Sequence, residues 1–179
     1  MLSAAAFAIA MAENSVPATA PATFQAGVYN GFTGLDVRAE IEACFLPDQK
    51  MADDTGALIE AIKTKSFGDI KSIVTADEPL AIKDAAPCMS DPKYVTVKNA
   101  YEAQQDLVKA AMADPDWQLH AIKDIKPNLA AIKAGAAAAV AAFDLGTSDG
   151  YFNAGVEIGK IDKIVFAYWM KKSNDEFLQ

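Results

Sequence analysis

A chain of 179 residues, 52% hydrophobic and 22% charged, is long enough for one filled core, too short for two independent ones, and too apolar to stay disordered throughout. Its formal net charge of −8 repels a phosphate backbone, which sets aside nucleic acid and an anionic membrane held by charge alone. Abundant alanine beside ten glycines and eight prolines favours helix over sheet. The expected fold is therefore all-α: a single-domain bundle of six or seven helices with one disulfide, preceded by an extended N-terminal arm.

Residues 1–12, MLSAAAFAIAMA, are an apolar run of signal-peptide length that ends in the cleavage pattern Ala10-Met11-Ala12. The run is too short to cross a bilayer, which takes about 20 apolar residues. It implies secretion and a mature chain that begins near Glu13. No Lys or Arg precedes it, so a start upstream of Met1 and an apolar helical N-terminus stay open as alternatives. Residues 13–31 are rich in Pro, Ala and Thr without helical periodicity and read as an extended arm. Val16, Phe24, Val28 and Tyr29 are the side chains available to anchor that arm on a neighbouring copy, and Thr19 and Thr23 are candidate sites for O-linked sugar.

Residues 32–170 form the expected helical domain. Apolar residues at three- and four-residue spacing from Leu35 to Leu46 predict a first helix with Cys44 beside its apolar face. A second runs from about Ala52, with Asp53 and Asp54 in the first turn, and Ser66 caps a third that carries Phe67, Ile70, Ile73 and Val74. Leu80-Ala81-Ile82 then leads to Pro87-Cys88. Asp91 followed by Pro92 opens a long helix to Ala113, because proline's missing donor is unpaired in a first turn anyway. Asp114-Pro115 repeats the signal for a short helix with Trp117, Leu119, Ile122 and Ile125. Pro127 restarts the chain into the alanine tract 134–142, and a loop to Gly150 separates that tract from a last helix, Tyr151 to Met170. Residues 171–179 read as a frayed polar tail.

Few residues carry chemistry. In an exported chain Cys44 and Cys88 pair as a disulfide that ties the first helix to the fourth, the alternative being two buried thiols. Two Cys and the single His120 cannot fill a zinc shell without carboxylates. His120, inside the Trp117–Ile122 segment, reads as a structural histidine, and the pairs Asp53-Asp54 and Asp114/Asp116 read as helix caps. The Asp144–Gly150 loop has oxygen ligands without EF-hand spacing. No cofactor, metal or catalytic set is expected. Gly155-x-x-x-Gly159 offers a flat groove for close helix packing, with the alanine tract as the expected partner in an antiparallel hairpin. Phe166 to Trp169 form an aromatic end whose surplus would contact a partner or lipid.

The order Cys44, Asp53, Cys88, long helix, Asp114-Pro115-Asp116-Trp117, Asn128-Leu129 and Tyr151 to Ile161 resembles a group of small secreted two-cysteine helical proteins of ciliates, over residues 36–166. The most specific piece is the spacing F-x-x-G-x-x-x-G-x-x-x-x-x-x-F from Phe152 to Phe166. That group has no established activity. The resemblance implies secretion, a Cys44–Cys88 bridge and a helical fold. The functional expectation is a secreted non-enzymatic structural or interaction protein, a self-assembling subunit outside the cell that contacts its own copies or another extracellular protein. The alternative is a small carrier that holds a lipid or other apolar ligand between helices.

Overall fold

The computed structural model describes residues 16–65 and 83–177, with side chains through Lys172. The apolar run 1–12, the first three residues of the expected arm and the helix expected from Ser66 lie outside the described residues. The regular secondary structure of the described residues is all helical, without a strand. In chain order they form α1 (Ala20–Thr33), α2 (Arg38–Cys44) and α3 (Gln49–Thr64), then helical residues 83–90, here α4. A 3-10 turn, Pro92–Tyr94, leads into α5 (Val95–Ala113), and α6 (Trp117–Ile125), α7 (Leu129–Phe143), α8 (Ser148–Val165) and α9 (Ala167–Phe177) follow.

Local chemistry sets the ends. Asp48 accepts from the Met51 amide at 3.1 Å to start α3, Asp91 from Lys93 at 3.0 Å, and Thr147 from Gly150 at 3.0 Å to start α8. The last stretch expected as one helix divides at Phe166, and the expected frayed tail is instead helical to Phe177.

The largest correction concerns the arm. From Ala20 onward it is a helix, not an extended strap: Pro21 sits in the first turn, and Gly34, at φ +81°, closes the helix by donating its N–H to Asn30 O. Ten of its fourteen residues are buried. That burial explains why periodicity failed there: a helix enclosed on nearly every side carries no polar face to set a 3.6-residue rhythm.

Two clusters share α1. Ala22, Ala26 and Tyr29 pack with Val37, Ile41, Met51, Val97 and both cysteines, while Ala20, Phe24 and Val28 pack with Ile59, Phe143, Tyr151 and Ala154. Cys44 and Cys88 are joined, with Cα atoms 5.0 Å apart at a sequence separation of 44. The bridge ties α2 to α4 inside the first cluster. Closing a loop of that length restricts the unfolded chain by about 4 kcal/mol.

Candidate functional site

Two places in the fold are built with unusual care: the contact of α1 with α8, and the corner where α9 meets α5 and α6. At the first, glycines let backbone lie on backbone. A Cβ at Gly155 would overlap Phe24 O, and one at Gly159 would overlap Val28 O; reciprocally, Gly27 faces Phe152 O and Gly31 faces Val156 O. Contacts that advance together along both chains mean that α1 and α8 run parallel. The partner of Gly155 and Gly159 is thus α1 and not, as expected, the alanine tract. That tract, on α7, meets another side of α8, where Gly135 sits near Ile161. Its short side chains leave room on both flanks, so spacing alone could not decide which helix the glycines would receive.

Each contact has a mirror image because the sequences match. Phe24-Gln25-Ala26-Gly27-Val28-x-x-Gly31 and Phe152-Asn153-Ala154-Gly155-Val156-x-x-Gly159 are two copies of one pattern, and each helix begins after a threonine, Thr19 and Thr147. The pair is a pseudo-two-fold unit within one chain. Comparing the chain with itself would have found this repeat, and with it the partner of the second glycine pair.

The four residues expected to anchor an arm on a neighbouring copy lie within the chain's own core. Phe24, Val28 and Tyr29 are buried, and Val16 packs at the edge of the same cluster as Phe24. Thr23, a candidate for glycosylation, is buried and donates its hydroxyl to Glu42 Oε1 at 2.8 Å; Thr19 is exposed. The same Glu42 oxygen accepts from Arg38 Nε at 2.9 Å, and the rest of that guanidinium donates to Asp149 Oδ1 at 2.8 Å and Ser148 Oγ at 2.7 Å. Arg38, the only arginine in the chain, also lies 5.0 Å over the Phe152 ring. One planar cation therefore fastens α2 to the start of α8, a geometry that lysine cannot reproduce, while Glu42 beside it takes the Thr23 hydroxyl of α1.

At the second place Asp114 gathers three donors. Its Oδ1 accepts from the Asp116 amide at 2.9 Å, and its Oδ2 from His120 Nδ1 at 2.9 Å and Trp169 Nε1 at 3.2 Å. Burial works against the charged carboxylate, but the Asp116 amide, the His120 ring and the Trp169 indole outweigh it and hold Asp114 below the usual carboxylate range. The His120 ring stacks on Tyr168 with centroids 3.8 Å apart, and the Tyr168 amide donates to Asp124 Oδ2 at 2.9 Å. An open depression of about 390 Å³ lies alongside, lined by Asp114, Pro115, His120, Tyr168 and Lys172. An Nδ1–H bonded to a carboxylate orients an imidazole as a general base would require. The described lining residues include no serine, threonine or cysteine to receive that help. The arrangement attaches α9 to the α5–α6 corner.

The remaining polar candidates are spread out. Asp53 accepts from Gln49, Asp54 pairs with Lys50, and Asp149 of the Asp144–Gly150 loop is taken by Arg38. Asp84 on α4 is only 1% exposed, and its carboxylate accepts no hydrogen bond; Lys83 Nζ lies 3.6 Å away. Burial and the nearby Asp48 raise its pKa against the pull of Lys83. Burial also pushes half-buried Asp162 on α8 up to about 7. Among the described residues no group of three or more His, Cys, Asp or Glu can hold a metal, and no helix is long and apolar enough to cross a membrane.

Comparison with protein-family models, with curated proteins and with solved structures finds no match.

Proposed function

We propose that this chain is a secreted, non-enzymatic interaction protein that acts as a structural or self-assembling subunit outside the cell. The observation that carries the reading is the surface between the end of α5 and the start of α7. Met112 is 74% exposed there, and Trp117, Leu119, Ile122 and Leu129 stand out of the fold as well. Half of the exposed large apolar side chains among the described residues fall in this short stretch, and such a concentration favours contact with another surface. The Cys44–Cys88 disulfide supports an extracellular setting, as do the apolar run at residues 1–12 and the resemblance to secreted two-cysteine proteins. Enclosure of an apolar ligand has less support. Two depressions, of about 390 and 330 Å³, are open to solvent, and charged side chains contribute to both.

Light scattering on the oxidised chain over a range of concentrations tests the reading. Concentration-dependent association, or capture of a defined extracellular protein, is the expected result, weakened by Trp117→Ala. A chain that stays monomeric and yields a stoichiometric apolar molecule on organic extraction, or that turns over a substrate, contradicts it.

A further inference from the structure

We infer that the outward face of α6 docks onto an anionic phospholipid surface. The inference rests on the interaction reading above and names one partner class for it. Leu119, Ile122, Lys123 and Lys126 follow one another at i, i+3, i+4 and i+7, so they share one face of the helix and its C-terminal cap. All four are exposed, Leu119 at 53% and Ile122 at 57%. The opposite side turns inward: Ala121 is buried, His120 binds Asp114, and Asp124 accepts from the Tyr168 amide. The α6 carboxylate is therefore used inside the fold. From Leu119 to Lys126 the outward face holds aliphatic side chains and cations alone, with Asp116 one turn earlier at the cap.

Both lysines of this face stand without a neutralising partner. Lys50, Lys63, Lys83, Lys93, Lys98, Lys109 and Lys160 each have a carboxylate within 4.0 Å, whereas Lys123 and Lys126, like Lys65, Lys133, Lys163, Lys171 and Lys172, have none among the described residues. A chain of net charge −8 thus keeps two unneutralised cations beside two projecting aliphatic side chains, and exposed Leu129 and Lys133 continue the pattern beyond Pro127. Such a face is complementary to a surface that is negative outside and apolar just beneath. A helix lying in the interface sinks its aliphatic side chains among acyl chains while lysine ammoniums reach back to the phosphates.

Two copies meeting symmetrically through α6 alone would set lysine against lysine, so this helix face is complementary to a lipid surface while the exposed Met112 and Trp117 beside it stay available for contact between copies.

The test is sedimentation of the oxidised full chain with vesicles of phosphatidylcholine and with vesicles that also contain phosphatidylserine. The chain is expected to pellet with the second kind only, and less as salt is raised. Lys123→Gln with Lys126→Gln should weaken that binding roughly tenfold or more, since each lysine near an anionic leaflet contributes separately. Leu119→Ser with Ile122→Ser should abolish it. Circular dichroism should be unchanged in both double variants, because all four side chains are exposed. Absence of binding to phosphatidylserine vesicles, equal binding to both kinds, or binding unaffected by either double variant overturns the inference. If vesicles never bind but the apolar double variant abolishes association seen by light scattering, the face is a protein contact: the lipid inference falls and the interaction reading stands. If the chain neither binds vesicles nor associates, both fall.

Discussion

Between α1 and α8 the backbones themselves touch, and four glycines make the contact possible; between α6 and α9 the contact is made by rings around one carboxylate. The first region has no slack, because adding one carbon at any of Gly27, Gly31, Gly155 or Gly159 would overlap a carbonyl oxygen. The second is open to solvent on one side and leaves Leu119 and Ile122 uncovered. In one molecule, then, rigidity and exposure are assigned to different helices: the paired repeat holds the fold, and the corner faces outward. Foldedness and interaction should accordingly respond to different substitutions.

The largest effect should come from removing half of the tight pair. Deleting Glu13 to Gln25 takes away the first six residues of α1, including Phe24, and should abolish cooperative unfolding and much of the helical circular dichroism. A deletion variant that melts like the parent would mean that α1 does not belong to the core. Gly155→Ala should come next. It preserves helix propensity and adds only a methyl group, yet that group overlaps Phe24 O. The backbones must separate, at a cost of about 3 kcal/mol readable as a lowered urea midpoint.

A smaller effect follows from the raised carboxyl groups, half-buried Asp162 and buried Asp84. Asp162 is pushed up to about 7 by burial and Asp84 is raised in the same direction, so the fold prefers both protonated. The contribution of Asp162 is fully present below the unfolded carboxylate value of about 4 and is lost as pH rises through about 7, and Asp84 acts in the same direction. Asp48 and Asp114 are lowered and act oppositely, their contribution being lost as pH falls below about 4. The urea midpoint should therefore be higher near about pH 5 than near about pH 8, and Asp162→Asn should narrow the difference. An unchanged difference in that variant would remove Asp162 as its cause. The smallest effect should have the opposite sign. At Gly135 a new methyl group would meet Ile161 at 3.4 Å, ordinary contact distance, so Gly135→Ala should stabilise the chain by roughly 0.5–1 kcal/mol. Destabilisation there would mean that α7 also sits too close to α8 to accept a side chain.

Much of this contrast can be traced back to the sequence. The all-α class and the Cys44–Cys88 bridge follow from composition and from cysteine placement, and the Asp91 cap marks a real helix start; the caps Asp48 and Thr147 were missed, because the helices they open begin about three residues before the first turns expected at Ala52 and Tyr151. Residues 20–33 misled because Pro17 and Pro21, which suggest a linker, stand at a helix entrance where proline is tolerated. Burial on almost every side then erased the amphipathic rhythm. The glycine spacing at 155 and 159 was visible, but its partner was not, since an alanine tract and a second glycine pair both present small surfaces; only the repeated Phe-x-Ala-Gly-Val pattern distinguishes them. The Asp114 corner was hidden for another reason. Its members, Asp114, His120 and Trp169, are brought together by the return of α9, a tertiary event that local pattern does not encode.

The account depends above all on α1 being as firmly built in as α8. Native-state amide hydrogen exchange measures this directly, because it ranks helices by the free energy needed to open them. Amides of residues 26–31 and 154–159 should exchange together, last of all, and only through global unfolding, while those of α9 exchange earlier through a smaller opening. Amides of residues 26–31 that exchange with α9 or before it would contradict the account, and would return the first glycine pair to an arm lying outside the core.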